Sequence, residues 1–121
     1  MRNDGKISLN GIMEIHHVEV ASSLWSRMRG LLGRPAPLPG SCLLIEACGS
    51  VHTIGMRYAL DLIFVDKNWL VTRVVGNVTP GRFWVWGGWG EVRVLETSVG
   101  WLELEKIGVG MQLQWSDLRA S

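Results

Sequence analysis

Polar and apolar residues alternate through Lys6-Ile7-Ser8-Leu9-Asn10, the period-two signature of a strand with one face buried. The habit resumes after Gly11, with Ile12, Glu14, His16, Val18 and Val20 on one parity and Met13, Ile15, His17 and Glu19 on the other. The pattern predicts two strands and a hairpin turning at Asn10-Gly11. Apolar residues occupy both parities of the second strand, as expected where a strand is buried on both sides at some points. Successive strand side chains point to opposite faces, so His16 and His17 are expected one inward and one outward. At Ser22-Ser23 the period lengthens, because Leu24, Met28, Leu31 and Leu32 fall on one helical face opposite Ser26, Arg27 and Arg29. Ser22 or Ser23 serves as N-cap, Gly33 ends the helix, and Pro35, Pro37, Pro39 and Gly40 hold the next segment extended.

From Cys42 the chain is strand-rich. Strands are predicted at Cys42–Ala47, Leu60–Val65 and Leu70–Val75, the last two joined by a turn at Asp66-Lys67-Asn68. Phe83–Trp86 and Glu91–Glu96 flank Gly87-Gly88-Trp89-Gly90 and read as a second hairpin. A short helical turn is expected at Leu102–Ile107, and a last strand at Met111–Trp115. Seven or eight short strands, one short helix and no alternation of strands with helices predict a mostly β fold, an antiparallel sandwich or barrel.

Composition narrows the function. The chain has 121 residues, 47% of them hydrophobic and 19% charged, which suits one globular domain spanning residues 1–121. Twelve basic and eleven acidic residues leave a net charge of +1. No broad positive field is available for a phosphate backbone, so nucleic acid is disfavoured as a partner. Met1 to Gly11 holds no apolar run of the kind a secretory leader needs, and no stretch reaches the length of a membrane span. If the segment between them is extended and the chain does not fold back, Cys42 and Cys48 stand about 20 Å apart. That is too far for a disulfide, and two free thiols suit a cytoplasmic location.

The run Cys48-Gly49-Ser50-Val51-His52-Thr53-Ile54-Gly55-Met56-Arg57-Tyr58-Ala59-Leu60-Asp61-Leu62-Ile63-Phe64-Val65-Asp66 resembles the signature of the DUF192 family, a domain of unknown function. Arg29-Gly30-Leu31-Leu32-Gly33-Arg34, Val94-Leu95-Glu96 with Gly100, and Gly108-Val109-Gly110 resemble the same family in the same order, over about residues 18–115. The resemblance implies a β-sandwich of jelly-roll type with a small helix, and no established reaction. The sequence departs from the family pattern at Ala59, where proline is usual, at Met111, where an acidic residue is usual, and in the Trp-rich segment from Trp84 to Trp89.

Several residue sets could carry chemistry. Cys48 and His52 could act as nucleophile and base with Asp61 orienting the imidazole, since a thiolate forms readily beside a basic partner. No nucleophile elbow or oxyanion motif accompanies them. The competing reading has His52 and Thr53 bonding the turn that enters the Leu60 strand. Metal binding would draw on Cys48, His52, Asp61, His16 and His17, yet no paired Cys-x-x-Cys or His-x-x-x-His unit is present, so no metal site is expected. Asp61, flanked by Leu60 and Leu62, must find a partner or water. Arg57 and nearby backbone amides are the closest in sequence, which favours a structural carboxylate. Glu96 shares a strand face with Val92 and Val94.

Convergence of His52, Asp61 and Glu96 at one end of the sandwich would build a polar pocket walled by Met56, Phe64 and Leu95. Trp84 and Trp86, with Trp89 nearby, either pack in the core or form an exposed association patch. The expected function is therefore a non-catalytic β module, binding a small ligand through His52, Met56, Arg57, Asp61 and Glu96 or a protein through Trp84, Trp86 and Trp89. It needs no cofactor. The alternative is a small hydrolase or transferase using Cys48 and His52.

Overall fold

The computed structural model describes residues 2–21, 36–46, 50–51, 58–81, 85–86 and 92–119. Among the described residues nine strands are formed: β1 (Gly5–Leu9), β2 (Met13–Ala21), β3 (Ser41–Ile45), β4 (Ser50–Val51), β5 (Leu60–Asp66), β6 (Val71–Val78), β7 (Val85–Trp86), β8 (Val92–Ser98) and β9 (Gln114–Asp117). A 3-10 turn covers Leu104–Lys106, within the expected helical turn. Seven strands make one curled sheet in the order β6-β5-β8-β3-β2-β1-β9, and β4 pairs with β7 in a second sheet of two. The fold is mostly β, a half-barrel with almost no helix among the described residues. The predicted helix from Ser22 to Gly33 lies outside the described residues.

Two pairings differ from expectation. β2 and β3 run parallel, with Val18 opposite Cys42 and Val20 opposite Leu44. The long connection from Ser22 to Gly40 permits this, because a parallel return needs a crossover of a dozen residues or more. The hairpin expected between Phe83–Trp86 and Glu91–Glu96 is not made. β7 instead joins β4, while β8 enters the large sheet between β3 and β5. A strand as apolar as β8 gains more from a central place, covered on both faces, than from a two-stranded ribbon.

The sheet carries an apolar cluster on each face. One contains Ile7, Ile15, Val18, Val20, Cys42, Leu44, Ile63, Val65 and Leu95, and is joined by Leu102, Ile107 and Leu113 from the chain's last third. The other contains Leu43, Ile45, Leu60, Leu62, Phe64, Val78 and Val94. Each fully buried aliphatic or aromatic side chain contributes about 1.5–3 kcal/mol of transfer free energy.

β2 shows how both parities become apolar. Gly5 lies opposite Val18 but Ile7 lies opposite Ile15, so β2 carries one extra residue and bulges between them. Inward positions shift from Met13 and Ile15 to Val18 and Val20 across the bulge, and His16 and His17 are both exposed. The expectation of one histidine inward is thereby corrected, since a bulge turns two successive side chains to the same side.

The curl closes along a seam. Val71 exchanges backbone hydrogen bonds with Met111 and Gly110 (2.9 and 2.7 Å), and the Leu113 N–H donates to the Trp69 carbonyl (2.8 Å). The chain then enters β9 and pairs with β1. The predicted Asp66-Lys67-Asn68 turn is present. The Asp66 Oδ1 accepts from the amides of Asn68 (2.8 Å) and Leu70 (3.0 Å). Trp69 completes it at φ +64°, a left-handed conformation that costs a bulky L-residue about 1–2 kcal/mol. The strain is offset by stacking. The Trp69 ring lies 5.7 Å from that of Trp115 at an interplanar angle of 16°, and the Arg93 guanidinium sits 4.8 Å from the Trp69 centroid. Trp115 in turn lies so close over Gly5 that a β-carbon there would collide with the indole.

A buried carboxylate fastens the first residues. Asp4, 2% exposed, accepts from Arg2 Nε (2.8 Å) and the Val20 amide (2.9 Å), while its carbonyl accepts from the Leu118 amide (2.9 Å). Burial pushes its acidity toward the neutral form, but the Val20 hydrogen bond and the Arg2 charge outweigh this and hold the carboxyl below its ordinary value.

Two predictions follow from the seam and the clamp. Trp69→Gly should be less destabilising than Trp69→Ala by about 1 kcal/mol in urea denaturation, because only glycine is at ease at positive φ. An alanine variant as stable as the glycine variant would refute the strained backbone. Asp4→Asn should cost about 1.5–3 kcal/mol at neutral pH. A carboxyl depressed in the folded state stabilises fully above the unfolded value of about 3.9 and loses that contribution as pH falls through the folded value. The gap between wild type and Asp4→Asn should therefore narrow below about pH 4, and a gap constant from pH 7 to 3 would count against the clamp.

Candidate functional site

β8 lies between β3 and β5, and its register sets Glu96 opposite Leu43 on one side and Leu62 on the other. Glu96 is 1% exposed and shares its face with Val94, within the cluster of Leu43, Leu60, Leu62 and Phe64. An ionised carboxylate taken from water into such surroundings costs several kcal/mol unless hydrogen bonds or a partner charge compensate. Two positions along, Ser98 points to the same face, about 7 Å away at a strand's rise per residue. Its Oγ is buried and has no hydrogen-bond partner. Continuing the register of Cys42 with Thr97 sets Ser41 opposite Ser98. One carboxylate and two hydroxyls thus gather at one end of an otherwise apolar face.

Asp61 lies elsewhere. It pairs with Thr97 across β5 and β8, one register step from Glu96, so its side chain projects from the opposite face. There its Oδ1 accepts from the Asn77 amide (2.8 Å) and its Oδ2 from the Gly100 amide (3.0 Å). Leu60 faces Val78 and Leu62 faces Val75, which makes β6 bulge at Gly76-Asn77, and Asn77 takes φ +50°. A bulge leaves an amide outside the ladder, and the carboxylate supplies its acceptor. Asp61 thereby ties the β6 bulge to the turn leaving β8. Two backbone amides from segments far downstream bond it.

A single pocket lined by both Asp61 and Glu96 is therefore not built. Leu95 also belongs to the Asp61 face, so of the expected walls Phe64 stands with Glu96 and Leu95 does not. The physical reason is strand parity, which separates residues 95 and 96 by the thickness of the sheet.

His52, Met56 and Arg57 lie outside the described residues, as do Cys48, Trp84 and Trp89. The chain re-enters the structure at Tyr58, which packs against the cluster that holds Glu96. Trp86 stands in β7, opposite Ser50 of β4. Cys42 is a free thiol, completely buried in the other cluster. Burial, with the Glu96 charge adding to it, pushes this thiol far above its ordinary range, so Cys42 is unsuited to nucleophilic work. Among the described residues no group of three or more His, Cys, Asp or Glu side chains is arranged to hold a metal ion. No helix among them is long and apolar enough to cross a membrane.

Sequence reasoning missed Ser98 and Asp4. Ser98 shares the parity of Val94 and Glu96 and could have been found by extending that strand two residues. Asp4 precedes the first alternating run and carried no signal, because its partners lie in β2 and near residue 118.

A curled, mostly β sheet with a carboxylate sunk in one apolar face is the class of domain these observations define. The chain belongs to the DUF192 family, described as an uncharacterized ACR, whose model matches residues 6–115. No curated protein matches it. Two solved structures are similar in fold. A protein of unknown function from Novosphingobium aromaticivorans is 17% identical with a TM-score of 0.74, over 92% of this chain and 84% of that one. A protein from Sinorhizobium meliloti described as a "putative transcription regulator" is 18% identical with a TM-score of 0.66, over 95% of this chain and 97% of that one. At such identities the likeness speaks for the fold alone, and no specific function is established for the family.

Removing the Asp61 carboxylate should strand two amides. Asp61→Ala is expected to cost about 2–4 kcal/mol in chemical denaturation and Asp61→Asn, which keeps one acceptor oxygen, about half as much. Both variants within about 0.5 kcal/mol of wild type, the scatter of neutral surface changes, would show that the carboxylate does not organise the backbone.

Proposed function

We propose that this chain is a non-catalytic binding module, a jelly-roll-type sandwich that receives a small ligand or a protein segment at the Glu96 face. The reading rests on one observation, a carboxylate 1% exposed on an otherwise apolar sheet face. Recognition sites are usually apolar surfaces with a few placed polar groups, and this face has that make-up. His52, Met56 and Arg57 join the proposal because they lead directly into Tyr58, which packs on the same cluster. Asp61 contributes by position, holding the β6 bulge and the turn after β8 that frame the opposite side of the same strands. Trp84, Trp86 and Trp89 are proposed as a separate contact patch for a protein partner. Near-neutral charge argues against nucleic acid, and a free thiol at Cys42 suits the cytoplasm.

Glu96→Gln keeps the side chain's size and removes its charge. The small-molecule fraction of a cell extract should raise the thermal midpoint of wild type by a few degrees, as any ligand of the folded state does. The rise should be absent in Glu96→Gln. No rise in wild type, or an equal rise in the variant, would overturn the assignment of the site.

A further inference from the structure

Away from the Glu96 face, the outer surface of β2, β1 and β9 carries a polar row. Register sets Ser8 opposite Glu14 on one side and Gln114 on the other, so the three residues leave the same face at about 4.8 Å from strand to strand. The row opens into a depression of about 360 Å³ lined by residues 8–14 and Gln114, where the chain turns from β1 into β2. The Ile12 amide closes that turn on the Leu9 carbonyl (2.9 Å), with Gly11 at φ +74°. The volume lies at the small end of the range that ligand sites take, about 300–1,000 Å³.

The lining selects the chemistry of an occupant. Among the described residues that form it, Glu14 alone is ionisable. Its Oε2 lies 3.5 Å from His16 Nε2, a long contact between two exposed side chains that leaves acceptor capacity on the carboxylate. The Ser8 Oγ donates its proton to Gln114 Oε1 (3.3 Å) and therefore presents only lone pairs to anything else. Leu9, Ile12 and Met13 add hydrocarbon, of which Ile12 is the most open at 39% exposed.

An anion placed here is repelled by Glu14. A divalent metal ion needs more ligands than one carboxylate and one hydroxyl, and no trio of His, Cys, Asp or Glu is arranged for it among the described residues. A neutral polyol can reach the same acceptors, but in an open depression water bonds them as well and the charge adds nothing. An organic cation brings donors and charge together. Lys6, exposed on β1 about 7 Å along from Ser8, disfavours a second positive charge on the ligand.

We infer that the β1–β2 depression binds a monovalent alkyl cation, an ammonium or guanidinium group on a short hydrocarbon stem. The head group donates to the Glu14 carboxylate and the Ser8 Oγ, and the stem rests on Ile12.

Amide-resolved NMR titration of the full chain tests this with n-butylguanidinium and n-butylammonium as probes, n-butanol as the neutral stem and butyrate as the anion. The cations should shift the amides of residues 8–14 and Gln114, while butanol and butyrate leave them in place. Glu14→Gln should weaken the cations about fivefold, the equivalent of roughly 1 kcal/mol for an exposed ion pair. Because Glu14 is 65% exposed, that variant should keep the wild-type melting midpoint, which separates lost binding from lost folding. Ile12→Ser should narrow the preference for n-butylguanidinium over methylguanidinium, since the stem loses its apolar support. A blocked peptide with a central arginine identifies the source. Affinity equal to that of n-butylguanidinium or above it assigns the head group to an arginine of a protein partner, and lower affinity assigns it to a free amine or guanidine. Butanol shifts as large as those of the cations, cation affinity unchanged in Glu14→Gln, or no cation shift at these residues overturns the inference. The Glu96 assignment is tested apart from it, because β8 contributes no residue to this lining.

Discussion

Everything in this fold is arranged around a strand that has no free side. β8 bonds to β3 along one edge and to β5 along the other, and Val94, Leu95, Glu96 and Thr97 are all buried. A strand so placed cannot send polar side chains to water on alternate positions, as an antiparallel strand with one solvated face does. Any charge it carries is committed to one of two apolar faces, where an uncompensated carboxylate would cost more than a typical domain can spare. Glu96 is a charge committed in this way, and it does not stand there without a partner. Its retention at the centre of the sheet sets it apart from the exposed carboxylates of the rim, whose place needs no special explanation.

The same two-sidedness explains why two neighbouring carboxylates take unrelated roles. Asp61 and Glu96 are separated by one step of register, yet parity sends them through opposite faces of the sheet. On its side Asp61 meets amides that the ladder cannot satisfy, from a bulge and a left-handed turn. Two charge-assisted hydrogen bonds from rigid backbone compensate its burial and leave it little capacity for a ligand. Glu96 projects from the apolar face of Leu43, Leu60, Leu62 and Phe64, with the Ser98 hydroxyl two residues along. Strand parity, more than residue type, decides which face each carboxylate serves.

How far the chain could be read follows from the range of the forces involved. The alternation in Lys6–Asn10, the Asp66-Lys67-Asn68 turn and the strands around it were legible because the causes are local: pleat geometry and an Asx turn. The mostly β class followed from counting such segments. Strand partnership was not legible, since nothing in Phe83–Trp86 or Glu91–Glu96 encodes that the first will bond to β4 and the second lie between β3 and β5. The parallel pairing of β2 with β3 was hidden for the same reason. Apolar residues at both parities of β2 suggest two-sided burial, whereas their change of parity at adjacent His16 and His17 marks a bulge. For the site, the buried carboxylates were visible as charges inside apolar runs. Their separation required knowing the register, which is a long-range property.

The seam adds a constraint of a different kind. Closing a curled sheet edge to edge requires the last segment to approach β6 and β1 at once, and here aromatic rings span the junction. Trp115 presses on Gly5, Trp69 lies against Trp115, and Arg93 from the opposite side of the domain's core strand covers Trp69. Because Arg93 belongs to β8, the stack joins the closure to the strand that carries Glu96 and Ser98. A residue held at positive φ persists only where surrounding contacts over-determine it, and the stack supplies them. The strand bearing the candidate site is thus fixed at its start by the cation on Trp69 and at its end by the Asp61 bond to Gly100. That rigidity is what a recognition site of a few polar groups requires, because specificity of hydrogen bonding is lost when the donors and acceptors are free to wander.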